Sequence, residues 1–204
     1  DMIENYQQQP AFEFIEQVPT TWDETQVISG DIGNHIVVAR RNGKRWFLGA
    51  MTDEQPRLLN VELDFLADDT IYAARIFSDA KATDYYQNPV AIDISTYRVK
   101  KGQRLTLAMA GTGGQAIYFT PVNQEQGRTL PLLERHNQQS MENMVQFTKA
   151  RRYGEIEQVA HLAVNKPIII LSEYDKGYAA GGDKALVDGQ LGLSDYKSLW
   201  QGYR

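Results

Sequence analysis

The chain has no cysteine. Disulfides, thiolate catalysis and zinc–thiolate sites are therefore excluded at the outset. A cysteine-free chain also fits a bacterial envelope protein. No run of about 18 apolar residues occurs, so no membrane-spanning helix is encoded. The first residues, Asp1-Met2-Ile3-Glu4, have neither the basic region nor the apolar core of a signal peptide. The expectation is either that a signal has been removed or, in preference, that the chain starts inside a longer protein. Basic charge is scarce early: no Lys or Arg precedes Arg40, while Asp1, Glu4, Glu13, Glu16, Asp23, Glu24 and Asp31 accumulate. That acidic end reads as a solvated face or as a surface for a basic neighbour. The net charge of −5 argues against a nucleic-acid partner.

Catalytic patterns are missing as well. There is no Ser-His-Asp spacing and no HExxH. Gly111-Thr112-Gly113-Gly114 joins two strand-like runs and lacks the following helix that a phosphate loop needs, so it reads as a tight hairpin. The adjacent acids Asp23-Glu24 and Asp68-Asp69 should point apart, which makes them poor pairs across one bond. His35, at a strand start, reads as structural.

What is present is a β pattern. The length of 204 residues suits one large domain or two small ones, and 42% apolar content is enough for a core. The organising stretch is Val18 to Met51, which holds Trp22, Trp46 and two strand-like runs, His35 to Arg41 and Arg45 to Met51. Between them lies Asn42-Gly43, a strong hairpin signal of the type I′ kind. Further strands are expected at Thr25 to Ser29, Arg57 to Phe65, Thr70 to Phe77, around Ile92, around Leu105, and at Gln115 to Thr120. In Arg57 to Phe65, Leu59, Val61, Leu63 and Phe65 share one face. About eight short strands with turns between them predict a mainly β protein, an antiparallel β-sandwich or barrel. Short helices precede it. Asp1 can cap one over Met2 to Gln9, and Pro10 can open a second through Gln17, ended by Pro19. That second helix carries Phe12, Phe14 and Ile15. They pack either on the following domain or on an upstream one.

Several marks in order resemble one family. They are the Phe14-Ile15 helix end, Pro19-Thr20-Thr21-Trp22-Asp23-Glu24-Thr25, Ile32-Gly33, and Ala39-Arg40-Arg41 with Gly43 before Trp46 and Gly49. Leu63-Asp64-Phe65-Leu66, the Ile76 to Ala82 stretch around Asp79, and the glycines before Ala116-Ile117 continue the likeness. Together they resemble the region after the catalytic barrel in glycoside hydrolase family 97. The resemblance covers residues 1 to about 121 of this chain. It implies a C-terminal β-sandwich packed on a (β/α)8 barrel, with Asp1 to Gln17 as the last helical part of that barrel. It also implies that the acids and the calcium ion that cleave α-glucosides or α-galactosides lie upstream. No catalytic residue is carried over to this chain.

The rest reads as a polar linker at Asn123 to Arg128, then a helix from Leu132 to Lys149 with Leu133, Met141, Met144, Val145 and Thr148 as its stripe. The basic cluster Lys149 to Arg152 closes it. The tail, with Tyr178-Ala-Ala-Gly-Gly182, Ala185 to Gly189, Gly192 and Trp200 to Tyr203, resembles the opening of a discoidin-like (factor 5/8 type C) jelly-roll module of the kind appended to family 20 hexosaminidases. The expected divisions are 1–22 as a barrel remnant, 23–121 as the sandwich, 122–153 as linker and helix, and 154–204 as a partial jelly-roll-like β segment.

In such a module Asp188 is a candidate ligand for a structural calcium ion, or simply part of an Asp-Gly turn. Tyr178, Trp200 and Tyr203 are candidate sugar-stacking rings, or ordinary core. The primary functional expectation is the non-catalytic C-terminal part of a glycoside hydrolase, periplasmic or secreted. Its partners are then its own barrel and an oligo- or polysaccharide. The alternative is a free-standing carbohydrate-binding module. An enzyme active on its own lacks the pair of acids it would need.

Overall fold

Alternating apolar residues fold residues 24–122 into eight antiparallel strands in the computed structural model, which describes residues 9–85 and 88–148 and the backbone of two strands at 174–179 and 201–203. The strands are β1 (Glu24–Asp31), β2 (His35–Asn42), β3 (Arg45–Thr52), β4 (Arg57–Glu62), β5 (Ile71–Asp79), β6 (Ile92–Val99), β7 (Arg104–Met109) and β8 (Gly114–Val122). Six of them form one sheet in the order β1-β2-β3-β8-β5-β6, and β4 pairs with β7 in a second. The sandwich expected from the sequence is therefore present. One face of the large sheet supplies Trp46, Leu48, Ile76, Ile117 and Phe119 to the core. The small sheet supplies Val61, Leu105, Leu107 and Met109.

Among the described residues three helices flank this core. Helix α1 (Phe12–Gln17) precedes β1, while α2 (Gln124–Thr129) and α3 (Leu133–Phe147) follow β8. Helix α1 ends where Val18 turns extended, just before Pro19. Residues 1–8 and the basic cluster at 149–152 lie outside the described residues. The chain divides into two compact units, Asp1–Ala150 and Arg151–Arg204. In the second, β9 (Tyr174–Ala179) pairs antiparallel with β10 (Gln201–Tyr203).

The structure changes several local expectations. The β2–β3 turn is Gly43-Lys44, since Asn42 pairs with Arg45. Gly43 has φ +58° and Lys44 does not share the positive φ, which is the type II′ pattern, not type I′. Gly111 to Gly114 is not a hairpin of paired strands, because β7 and β8 belong to different sheets. The glycines are there for close approach: a Cβ at Gly113 would overlap Asp79 Oδ2, and one at Gly114 would overlap the Ala50 carbonyl. Asn123 to Arg128 is not a plain linker. Asn123 and Gln126 close a capping box that starts α2.

The stripe of α3 also differs. Its buried residues are Leu133, His136, Ser140, Asn143 and Phe147, while Met141 and Val145 are exposed. The reason is the open edge of β7. Asn137 Oδ1 accepts from Thr106 N–H (2.9 Å), and Asn137 Nδ2 donates to the Arg104 carbonyl (2.9 Å). Ser140 Oγ donates to the Thr106 carbonyl at 3.1 Å. An edge strand needs its backbone groups satisfied, and α3 does this with polar side chains.

Candidate functional site

The outer face of the large sheet is the part of the fold that sequence reading did not anticipate. In the central strands β3, β8 and β5, residues facing away from the core are still apolar: Phe47, Tyr118 and Phe77. They lie side by side, with Phe47 opposite Tyr118 in register. Helix α1 places Phe14 on all three. Its ring meets Phe77 edge-on at 5.6 Å and Phe47 at 6.3 Å, and stacks on Tyr118 at 6.3 Å. Trp22 adds an edge contact to Phe47 at 5.3 Å, with the Arg40 guanidinium 5.6 Å from its own ring. Such contacts are worth ~0.5–1.5 kcal/mol each beyond area burial.

A charged latch flanks the rings. Arg75 Nε donates to Glu13 Oε1 (3.0 Å) and Arg75 Nη2 to Glu13 Oε2 (2.7 Å), a bidentate pair. Tyr118 Oη donates to Glu13 Oε1 at 2.8 Å. The hydrogen bond from Arg75 holds the Glu13 carboxyl below its usual range, despite some desolvation. This early acid therefore has a partner within the same unit. Because both side chains are about a third exposed, the pair is worth ~0.5–1 kcal/mol.

Beside the latch runs an apolar groove of about 590 Å³. It is lined by Phe14, Val18, Ile36, Val38, Met51 and Ile92, among others. Ile15 (57%), Met51 (64%) and Val27 (69%) are substantially exposed. The Phe12-Phe14-Ile15 cluster is thus split: Phe14 is seated on the sheet and Ile15 faces outward. A second apolar hollow shares Ile36 and Met51 and ends at Ile32, which stands fully exposed at the β1–β2 turn.

Asp23 and Glu24 do not point apart; both reach Arg41, at 3.4 and 3.1 Å. Asp23 Oδ2 also accepts from Gly43 N–H (2.7 Å), so the cluster fastens the start of β1 to the β2–β3 turn. His35 bonds Ser29 Oγ at 2.8 Å, across the same hairpin. Asp68 pairs with Lys101. Asp79 is buried and accepts from Ala110 N–H (2.8 Å) and Gly114 N–H (3.1 Å), which pins the β7–β8 connection. Desolvation raises its pKa to about 6. No group of three or more His, Cys, Asp or Glu suited to a metal ion occurs among the described residues. No helix there is long and apolar enough to cross a membrane.

Of the sequence-level site residues, Tyr178 lies on β9 and Tyr203 on β10, with Tyr203 opposite Tyr174 in the ladder. Their side chains, together with Trp200 and Asp188, lie outside the described residues.

The fold defines a β-sandwich whose large sheet carries an apolar outer face. Residues 21–120 match the model of the family described as "Glycosyl-hydrolase 97 C-terminal, oligomerisation". Those residues are therefore the non-catalytic C-terminal domain of glycoside hydrolase family 97. A retaining alpha-galactosidase from Bacteroides thetaiotaomicron is 34% identical over 118 residues, 57% of this chain and 17% of that protein. A probable retaining alpha-galactosidase from Streptomyces bingchenggensis is 45% identical over 47 residues, 22% of this chain and 7% of that protein. Among solved structures, a glycoside hydrolase family 97 enzyme from Pseudoalteromonas sp. strain K8, in complex with acarbose, matches at TM-score 0.58 and 38% identity. That match covers 60% of this chain and 20% of the other. The chain thus spans a fifth or less of the length of these relatives.

Proposed function

We propose that this chain is the C-terminal part of a longer glycoside hydrolase, in which an upstream (β/α)8 barrel cleaves α-glycosidic bonds. The substrate class is an α-galactoside or α-glucoside. The sandwich braces that barrel through the outer face of its large sheet. One observation carries this reading: α1, the element through which the chain enters the sandwich, is seated on that face by Phe14 and Glu13. Beside it an apolar groove continues to Ile32. A sheet face with Val27, Ile36 and Met51 open to water is costly unless covered.

The remaining parts of the reading are a periplasmic or secreted location and a discoidin-like tail over 154–204 that contacts a polysaccharide. The antiparallel pairing of β9 and β10 is compatible with such a tail. No step of the proposal runs through calcium, because Asp188 lies outside the described residues and the others offer no ligand cluster.

The test places Ile36→Lys and Met51→Lys together in the longer protein and in this chain. In this chain the melting temperature is expected to hold, because both side chains are solvent-facing. In the longer protein, thermal stability and hydrolysis of an aryl α-galactoside or α-glucoside should both fall. Unchanged stability and turnover there would remove the docking face from consideration.

A further inference from the structure

On the opposite side of the large sheet, a third hollow lies between the ends of β5 and β6, β8 and α3. Its volume is about 270 Å³. This places it near the ~300 Å³ lower end of small-molecule sites. Unlike the apolar groove, it has polar walls. Asp79, Asp93, Gln115, His136, Gln139 and Asn143 line it, and no Lys or Arg does.

One lining atom lacks a partner. Gln115 is 5% exposed, and its Nε2 donates to the Ala108 carbonyl at 2.9 Å. That bond fixes the amide orientation and leaves Oε1 buried without a hydrogen bond. A buried carbonyl oxygen in that condition is unfavourable and calls for a donor to fill the site. Other lining groups are half-used. Asn143 Oδ1 accepts from Gln139 Nε2 (2.9 Å), which leaves the Asn143 Nδ2 hydrogens as donors. His136 faces the Thr106 carbonyl at 3.1 Å; a carbonyl only accepts, so Nε2 carries the proton and Nδ1 is an acceptor.

We propose that this cavity is a binding site for a small neutral polyhydroxyl compound, a single sugar or polyol. The lining selects this class by exclusion and by pairing. Two carboxylates with no cation repel an anion. An apolar ligand would leave Gln115 Oε1 without a donor and would take water from the Asp93 carboxylate. A cation satisfies the acceptors but leaves the amide donors empty. Vicinal hydroxyls both donate and accept, so they meet Gln115, Asp93 and Asn143 together. Ser78 and Gln115 are the residues this lining shares with the apolar groove; the polar side chains Asp93, His136, Gln139 and Asn143 belong to this cavity alone, so its failure would leave the proposed bracing role intact.

The test is an NMR titration of the chain with D-glucose, D-galactose and myo-inositol. Butylammonium and sulfate serve as charged comparators. The expected result is saturable shifts concentrated on the side-chain amides of Gln115, Gln139 and Asn143 for at least one polyol. Asp93→Ala and Gln139→Ala alter exposed side chains, so melting temperatures should hold. Each should weaken that binding about tenfold. Three results would overturn the proposal. The first is no saturable shift with any polyol, which leaves ordered water as the occupant. The second is binding to both variants as tight as to the wild-type chain. The third is shifts produced by butylammonium alone.

Discussion

Asp79 and His136 give this domain two buried titrations of opposite sign, which nearly conceal each other. Desolvation holds the Asp79 pKa up at about 6, against an ordinary 3.8. Between those values the folded protein binds more protons than the unfolded chain, so stability falls as pH rises. Desolvation holds His136 down at about 4, against an ordinary 6.5. In that window the unfolded chain binds more protons, so stability falls as pH drops. At about 1.4 kcal/mol per pH unit, each window is worth ~3 kcal/mol. Between pH 6 and 4 the wild-type protein gains from Asp79 about what it loses from His136. The variants separate the two. Asp79→Asn keeps a carbonyl oxygen for Ala110 and Gly114, and should lose ~3 kcal/mol as pH falls from 6.5 to 4 relative to wild type. His136→Gln keeps an amide donor for the Thr106 carbonyl, and should gain a similar amount over the same range. Glu13 and the other surface acids are common to all three proteins and cancel in the differences. Urea midpoints from pH 4 to 7 measure this; with a slope of ~1–3 kcal/mol per molar, each difference is a shift of roughly 1–3 M. Three parallel curves would show that neither group titrates in that window.

Phe14→Ala should release α1 without lowering the global midpoint much. A six-residue helix has no stability of its own, and its docking loses ~2 kcal/mol. Hydrogen exchange at residues 12–17 should then reach the rate of open chain while β3 and β8 stay protected. Gly113→Ala should cost at least ~2 kcal/mol, because its Cβ must displace Asp79 Oδ2 from both backbone donors. Denaturant unfolding reads that loss.

The strands were legible because one face of each is in the core and the period-2 signal is direct. Leu59 and Val61 announced β4 before any geometry, although the strand ends at Glu62 and not at Phe65. The order of the strands was not legible. Nothing local says that β7 leaves β8 to pair with β4, because a turn at Gly111 to Gly114 serves a hairpin and a sheet change equally well. Asp79, far away in sequence, makes the difference by holding both ends of that turn. The stripe of α3 failed for a related reason. Hydrophobic periodicity finds a helix that covers apolar side chains, but this one serves the open backbone of β7. His136, Asn137 and Ser140 therefore look like surface residues in the sequence.

The docking face did leave a trace in the sequence. Trp46-Phe47-Leu48, Ile76-Phe77 and Tyr118-Phe119 break strict alternation at neighbouring positions in three adjacent strands. An antiparallel sheet with one wet face alternates; consecutive apolar residues mean that both faces are covered. Within this unit, α1 covers only the part of the second face that Phe14 reaches. Ile36, Met51 and Val27 extend the same apolar surface beyond the helix, toward β1 and β2. Among the described residues that extension stays open, with Ile36 44% and Met51 64% exposed. Alternate residues of the same strands build the core on one side and this apolar face on the other; a neighbour that covers the face is what the proposed bracing role requires. Charged side chains at 36 and 51 therefore test that dependence directly: they should be harmless to this chain and harmful to any longer protein that uses the face.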